Sequence, residues 1–534
     1  LYTIPKVGLW VAMIIAAFVV SAFAALLIQA PTLDVMSVWN DPYYRHVTKF
    51  SFYQSFVSTL LSVGLAIPVA HALSRRAFFG KSLLLKLFAT TLVLPVLVGV
   101  FGLLAIYGNS GLLASWLNSL DIAPPFSIYG LNGILLAHVF FNLPYATRLL
   151  LQALDTIPLE QHKLCAHLGM SAWQKFRWVE WPRLRQQLPH VCGLVFMLCF
   201  TSFATVMALG GGPKSTTIEL AIYQAIKFDF DLQTGALLAL WQMLLCAIMA
   251  LTIQRLAKPM ATAVGSQAKN LRLVRDSGYI KCWDWSWIGL AMLLVLPPLL
   301  MVVLSGFNSK ALTVFADSRF WSALLASLKV ATLASVIAVV SGYAILLTSR
   351  RLRLNRRHKS ADHIELMATI ILVTPGLVVS TGLFLLLRTI TDVFSLAFVV
   401  VVAVNALMSL PYVIKTLAQP MLHIEQHYQY LCASLGLKGW QRFKVVEWRA
   451  LKKPFAHAFA ISFMLAIGDL SAIALFGSQE FRTLPLYLFQ LLGSYQMEAA
   501  AVVSLTLLLL SVGCFSLLEV LFNANDKVKY VKSQ

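Results

Sequence analysis

Twelve runs of roughly twenty apolar residues divide the chain, and no soluble core could absorb them all. They fall at 7–30, 51–73, 85–107, 131–153, 187–210, 233–254, 285–306, 320–348, 364–387, 393–416, 453–477 and 499–522. Each is long enough to cross about 30 Å of hydrocarbon as a helix. Lipid offers a backbone no hydrogen-bond partners, so such runs close their bonds within a helix. The fold class expected is therefore an all-α polytopic membrane protein with about twelve transmembrane helices. The run at 7–30 is too long for a signal peptide and is followed by further spans, so it too reads as a transmembrane helix.

Charge falls between the runs in alternation. The loop after the second span holds Arg75, Arg76, Lys81 and Lys86, whereas the loop at 108–130 has no Lys or Arg. Basic residues return after the fourth, sixth and eighth spans and in the tail, at Lys527, Lys529 and Lys532. By the positive-inside rule these loops and both termini are expected in the cytoplasm, with the chain a multi-pass membrane protein. A net charge of +20 in a soluble chain would point to nucleic acid. Confined to short loops between spans, it excludes nucleic acid as a partner and names the lipid bilayer instead. The seven cysteines lie in spans or basic loops, with no spacing of a disulfide framework or a zinc site.

The most polar stretches repeat. Residues 169–181 read GMSAWQKFRWVEW and residues 436–448 read GLKGWQRFKVVEW, with seven of thirteen positions identical and two more exchanged between Lys and Arg. The copies lie 267 residues apart. With the glycines superposed, Pro144-Tyr145 falls on Pro411-Tyr412 and Gly210 on Gly477; Ser74-Arg75-Arg76 recurs, slightly shifted, as Ser349-Arg350-Arg351. An even number of spans separates the copies, so the halves are expected as parallel repeats. The expected division is a first six-span half at 1–257, a cytoplasmic linker at 258–284, a second half at 285–524 and a tail at 525–534.

Each copy contains a glycine suited to a sharp reversal, Gly169 or Gly436. Trp173 and Phe176 follow at helical spacing, as do Trp440 and Phe443, with basic residues beside them. An apolar knob with a cationic rim results. An amphipathic helix resting on anionic lipid would need only that pattern. Here the letters recur, including Val179/Val446 and Glu180/Glu447, which favours docking into a specific protein groove.

Gly169, Val179 and Pro182, with Trp181 between, resemble the cytoplasmic loop of binding-protein-dependent ABC importer permeases; Gly436 and Val446 fit in the second copy. The family's Glu-Ala-Ala positions read Lys163-Leu164-Cys165 and Tyr430-Leu431-Cys432 here, and its final Pro is Arg449 in the second copy. Two fused six-span units are similar to the permeases for ferric iron and for thiamine. The stretches ILLAHVFFNLPYATRLLL, GGGPKSTTIELAIYQ and FRTLPLYLFQ are nearest in wording to those for thiamine and thiamine pyrophosphate. The resemblance implies a place in the bacterial inner membrane, two ATP-binding cassette subunits below and a periplasmic substrate-binding protein above; one copy of this chain per complex and two are both compatible with the sequence. It also implies coupling through Gly169, Trp173, Phe176, Val179 and Glu180, and through Gly436, Trp440, Phe443, Val446 and Glu447.

No phosphate-cradling motif is present: Gly80-Lys81-Ser82 lacks the earlier glycine and the strand. The chain is thus expected to be no enzyme, to use no cofactor, and to draw energy from another subunit. Within the spans, Asp469 is the clearest ionisable residue, and an intramembrane carboxylate is a functional candidate by default. It could line a path and attract a cation, or lock two helices; the matching position in the first half is Ser202. His138 reads as a polar anchor. An ion-coupled secondary transporter would share the span count but needs coupling groups near the midplane, of which this chain offers about one. An intramembrane enzyme would need a catalytic cluster that the spans lack.

Overall fold

The computed structural model describes residues 5–30, 35–91, 94–122, 126–256, 278–369, 374–437 and 439–531. Every regular element among them is a helix. The first half runs α1 (Val7–Gln29), α2 (Pro42–Arg75), α3 (Lys81–Thr90), α4 (Val96–Tyr107), α5 (Leu131–Asp155), α6 (Leu159–His167), α7 (Ala172–Lys175), a π turn (Phe176–Glu180), α8 (Trp181–Phe200), α9 (Phe203–Leu209), α10 (Ile218–Lys227) and α11 (Leu232–Leu256). The second repeats the order as α12 (Gly278–Gly306), α13 (Ser318–Leu354), α14 (His358–Thr369), α15 (Gly376–Arg388), α16 (Ala397–Ser434), α17 (Gly439–Arg442), a π turn (Phe443–Glu447), α18 (Trp448–Ile467), α19 (Ser471–Phe476), α20 (Leu484–Gly493) and α21 (Met497–Val531). Residues 258–277 of the expected linker lie outside the described residues. α12 already begins at Gly278, and α21 carries the expected tail on as helix to Val531.

Ten described helices are long and apolar enough to cross a bilayer, and an eleventh span results if α8 and α9, bent by 52° at Thr201–Ser202, count as one. The remaining expected span, 364–387, is represented by α15, whose 13 residues reach only about 20 Å. Proline sets these breaks. Pro95 and Pro375 stand in extended backbone just before α4 and α15, and the residue ahead of a proline avoids helical dihedrals. The expected span at 85–107 is accordingly split, with α3 separate from α4. A third proline distinguishes the halves: Pro158 interrupts the run between α5 and α6, whereas Glu425 stands at the matching place and α16 continues unbroken for 38 residues.

The halves exchange their first helices. α1 lies against α13, α14 and α15 of the second half, and α12 against α2, α4 and α5 of the first. Small residues allow these contacts. A Cβ on Gly102 of α4 would stand 2.4 Å from the Pro298 carbonyl oxygen of α12, so only glycine admits that approach. The amide of Gly8 in α1 donates to Thr348 Oγ1 of α13 at 3.1 Å.

Candidate coupling loops and the path between the halves

In both halves the loop opens with a helix end closed by a left-handed glycine. Gly169 has φ 62° and Gly436 φ 66°. The amide of the next residue reaches back to a cysteine carbonyl: Met170 to Cys165 at 3.0 Å, Leu437 to Cys432 at 2.9 Å. This closure caps carbonyls that a helix end would leave open. Ser171 and Gln174 then form a reciprocal capping box that starts α7.

The apolar knob expected from sequence is present twice. Trp173 stacks on Phe176 at 5.7 Å and Trp440 on Phe443 at 5.1 Å between ring centres. The tryptophans are 67% and 74% exposed, whereas the phenylalanines are half-buried. Val179 and Val446 are half-buried beside them. Two leucines that sequence reasoning passed over enlarge each knob. Leu164 and Leu168 stand exposed in the first loop, and Leu431 and Leu435 at the matching positions of the second. Leu164 and Leu431 occupy the middle position of the family's Glu-Ala-Ala signature, where an exposed apolar residue in a polar loop was the available signal.

The glutamates point the other way. Glu180 and Glu447 are buried, 3% and 2% exposed. A π turn precedes each, and its extra residue per turn changes the phase of the helix between the outward Trp and the inward Glu. Pro182 is not the cause, since Arg449 replaces it in the second copy and the turn persists. His71 Nε2 of α2 lies 2.9 Å from Glu180, and its ring meets Phe176 edge-on at 4.9 Å. Lys175 Nζ lies 3.2 Å from the other carboxylate oxygen. In the second half the Tyr343 hydroxyl of α13 donates to Glu447, and the Tyr343 ring meets Phe443 edge-on at 5.6 Å. Arg442, the counterpart of Lys175, holds Glu447 at 3.0 Å.

A larger network surrounds Glu447. Arg350 reaches Glu447 at 2.6 Å and Glu425 at 3.1 Å. Arg351 and Arg442 also hold Glu425, at 2.8 and 2.5 Å. In the first half, where Pro158 replaces Glu425, the paired arginines turn elsewhere: Arg76 lies 2.5 Å and Arg75 3.6 Å from Asp284 at the start of α12. The recurring Ser-Arg-Arg was visible in sequence as a topology marker. Its partners were not, because they are distant along the chain.

The possible path residues sit at equivalent breaks. Ser202 lies between α8 and α9 and Asp469 between α18 and α19. Ser202 Oγ donates to the Cys199 carbonyl at 2.9 Å and lies 2.8 Å from His138 Nε2; His138 Nδ1 lies 2.9 Å from Ser58 Oγ. Ser202 thus accepts from the imidazole while Ser58 donates to it. His138 is a buried bridge, 3% exposed, rather than a polar anchor near a span end. Asp469 accepts from the Ser471 amide at 3.1 Å, the Ser471 hydroxyl at 2.6 Å and the Ala472 amide at 3.2 Å. Asn405 of α16, the repeat equivalent of His138, instead donates to the Val401 carbonyl of its own helix at 2.9 Å. Glu219 of α10, 2% exposed, is a second buried carboxyl that sequence reading did not single out.

At the end of α13 away from Arg350, a polar cleft of about 600 Å³ opens between Lys310, Asp317, Arg319, Arg482, Tyr487 and Glu498. Among the described residues, no group of three His, Cys, Asp or Glu side chains is placed to hold a metal ion.

Residues 344–526 match the profile of the family described as binding-protein-dependent transport system inner membrane component. The chain is 49% identical over 514 residues to the thiamine transport system permease protein ThiP of Escherichia coli (strain K12), covering 96% of each chain. It is 48% identical to ThiP of Salmonella typhimurium, over 96% of this chain and 95% of that one. Against ThiP of Haemophilus influenzae the identity is 40% over 524 residues, 98% of this chain and 97% of the other.

Proposed function

The chain belongs to the ThiP family of thiamine transport permeases, and on that premise we propose that it forms the membrane path of an ATP-driven thiamine importer. The observation that carries the reading is the doubled knob. Leu164, Leu168 and Trp173 stand exposed in one half, and Leu431, Leu435 and Trp440 in the other. A soluble surface has little reason to expose the same three large apolar side chains twice. A pair of identical or closely similar ATPase subunits, each with an apolar groove, gives a reason. ATP hydrolysis belongs to those subunits.

Force then has a defined route. A movement of the ATPases reaches the knob, passes through Phe176 and Glu180 to His71 of α2, and through Phe443 and Glu447 to Tyr343 and Arg350 of α13. α2 and α13 run from the loops to the opposite face, so tilting them rocks the halves about an axis along the membrane normal. The basic loops support a cytoplasmic position for the knobs and both termini by the positive-inside rule. The cleft near Lys310 and Glu498 then faces the periplasm, where a substrate-binding protein delivers cargo. One chain supplies two loops, enough for two ATPases. Thiamine carries a cationic thiazolium, and Asp469 at the break of the second half is suited to attract it.

Vesicles containing this chain, its ATPases and the binding protein test the reading. Uptake should require ATP. Uptake driven by an ion gradient alone would overturn it. Gly169 and Gly436 replaced by Val should uncouple transport while membrane insertion stays intact, because their φ is one that β-branched residues avoid. Unimpaired transport in both variants would defeat the docking role.

A further inference from the structure

Lys227, the last residue of α10, reaches from the first half into the second. Its Nζ donates to the carbonyl oxygens of Leu475 and Gly477, each at 3.2 Å, and lies 5.6 Å from the Phe394 ring centre. Leu475 sits in the last turn of α19, whose final carbonyls have no partner within the helix. The opposite end of α19 is held by Asp469. A single helical turn and a half is therefore pinned at one end by its own half and at the other by its neighbour.

The arrangement is one-sided. α20 is the repeat equivalent of α10, aligned by Thr217/Thr483 and Gln224/Gln490, and Gly493 stands at the place of Lys227. At the end of α9, the equivalent of α19, the Leu209 carbonyl is taken by the Gly130 amide of the same half at 2.7 Å. The first half thus closes its broken span internally, and the second half relies on a cation from across the boundary.

We infer that Lys227 is a latch between the halves at the end of the path remote from the coupling loops. Its ammonium must leave the Leu475 and Gly477 carbonyls when the halves part to admit cargo, and it returns when they close. The cost of parting falls on a charge-assisted pair of hydrogen bonds, which a methionine of similar length cannot form.

The inference rests on the importer reading, and one test does not need it. Cysteine introduced as Leu475→Cys, at a fully buried position, is exposed to a membrane-impermeant maleimide in the full-length protein. Adding Lys227→Met, which removes both bonds, should speed its labelling by at least about tenfold, the factor expected for one charged hydrogen bond, and Lys227→Arg should restore the slow rate. Equal rates in all three would overturn the latch. In the assembled complex, Lys227→Cys and Phe394→Cys, the latter at the second-half ring beside the ammonium, are joined by a short, reducible bifunctional thiol reagent. Uptake should stop and return on reduction. Uptake unchanged by the tether would overturn the latch even if ATP-dependence were established.

Discussion

His71 of α2 holds Glu180 at 2.9 Å from one side while Lys175 holds it at 3.2 Å from the other. The loop that carries the first knob is thereby tied to a transmembrane helix through a single carboxylate. Glu180→Ala should insert normally and retain ATP hydrolysis, but lose uptake per ATP several-fold. Glu180→Gln, which keeps an acceptor for His71, should fall between. Parallel measurement of uptake and phosphate release in vesicles decides it; an Ala variant with the parent's ratio removes Glu180 from the route.

The second loop should respond differently to the same change. Glu447 lies among Arg350, Arg442 and Tyr343, and the two arginine side chains are 4% and 9% exposed. Removing one member of a buried ion pair leaves an uncompensated charge and costs about 3–5 kcal/mol. Glu425 stays to hold both arginines, which softens the loss. Glu447→Ala should still unfold at a clearly lower temperature than Glu180→Ala in detergent. Equal melting temperatures would mean that the network adds nothing beyond the simpler anchor.

This contrast marks what the sequence could and could not disclose. The apolar runs, the duplicated loop and its Gly reversal were legible because helices and turns are set by residues near one another. Trp173 and Trp440 were legible as outward residues for the same reason. The direction of Glu180 and Glu447 was not, since a π turn changes the helical phase and its occurrence depends on packing. Lys175 and Arg442 read as part of a cationic rim and turn inward instead, because each finds a buried carboxylate. The exchange of α1 and α12 between halves was likewise hidden: any order of packing among apolar helices satisfies the same hydropathy.

That exchange makes two glycines sensitive. A Cβ at Gly382 would stand 2.3 Å from the Ala22 carbonyl oxygen, as one at Gly102 would stand 2.4 Å from that of Pro298. Backbone cannot yield as a side chain can, so Gly382→Leu and Gly102→Leu should each cost more than the about 1–3 kcal/mol of ordinary overpacking. The expected readout is lower yield of folded protein and a lower melting temperature. Gly64→Leu, with open space around its Cβ, is the control and should match the parent.

The exposed tryptophans should show the opposite profile. Trp173→Ala and Trp440→Ala remove side chains that lie mostly in solvent, so stability should change by no more than about 0.5 kcal/mol. ATPase subunits should be retained less well by either variant on affinity purification and lost from the double variant. Full retention by the double variant would shift the docking role to Leu164, Leu168, Leu431 and Leu435.

Asp469 separates a structural role from a cargo role by the choice of replacement. Its carboxylate holds the start of α19 with both oxygens, one taking the Ser471 amide and hydroxyl and the other the Ala472 amide. Asp469→Asn keeps one acceptor oxygen, enough for the Ser471 bonds, so it should keep the fold while it loses the charge and the Ala472 bond. If that charge draws a cationic thiazolium to the break in the second half, uptake at low thiamine should fall several-fold while the maximal rate changes little. Asp469→Ala should show the same defect plus about 1 kcal/mol of lost stability from the missing cap. Normal uptake by Asp469→Asn at low thiamine would end the cargo role. Asp469 would then serve to hold α19, the helix that Lys227 grips from the other half.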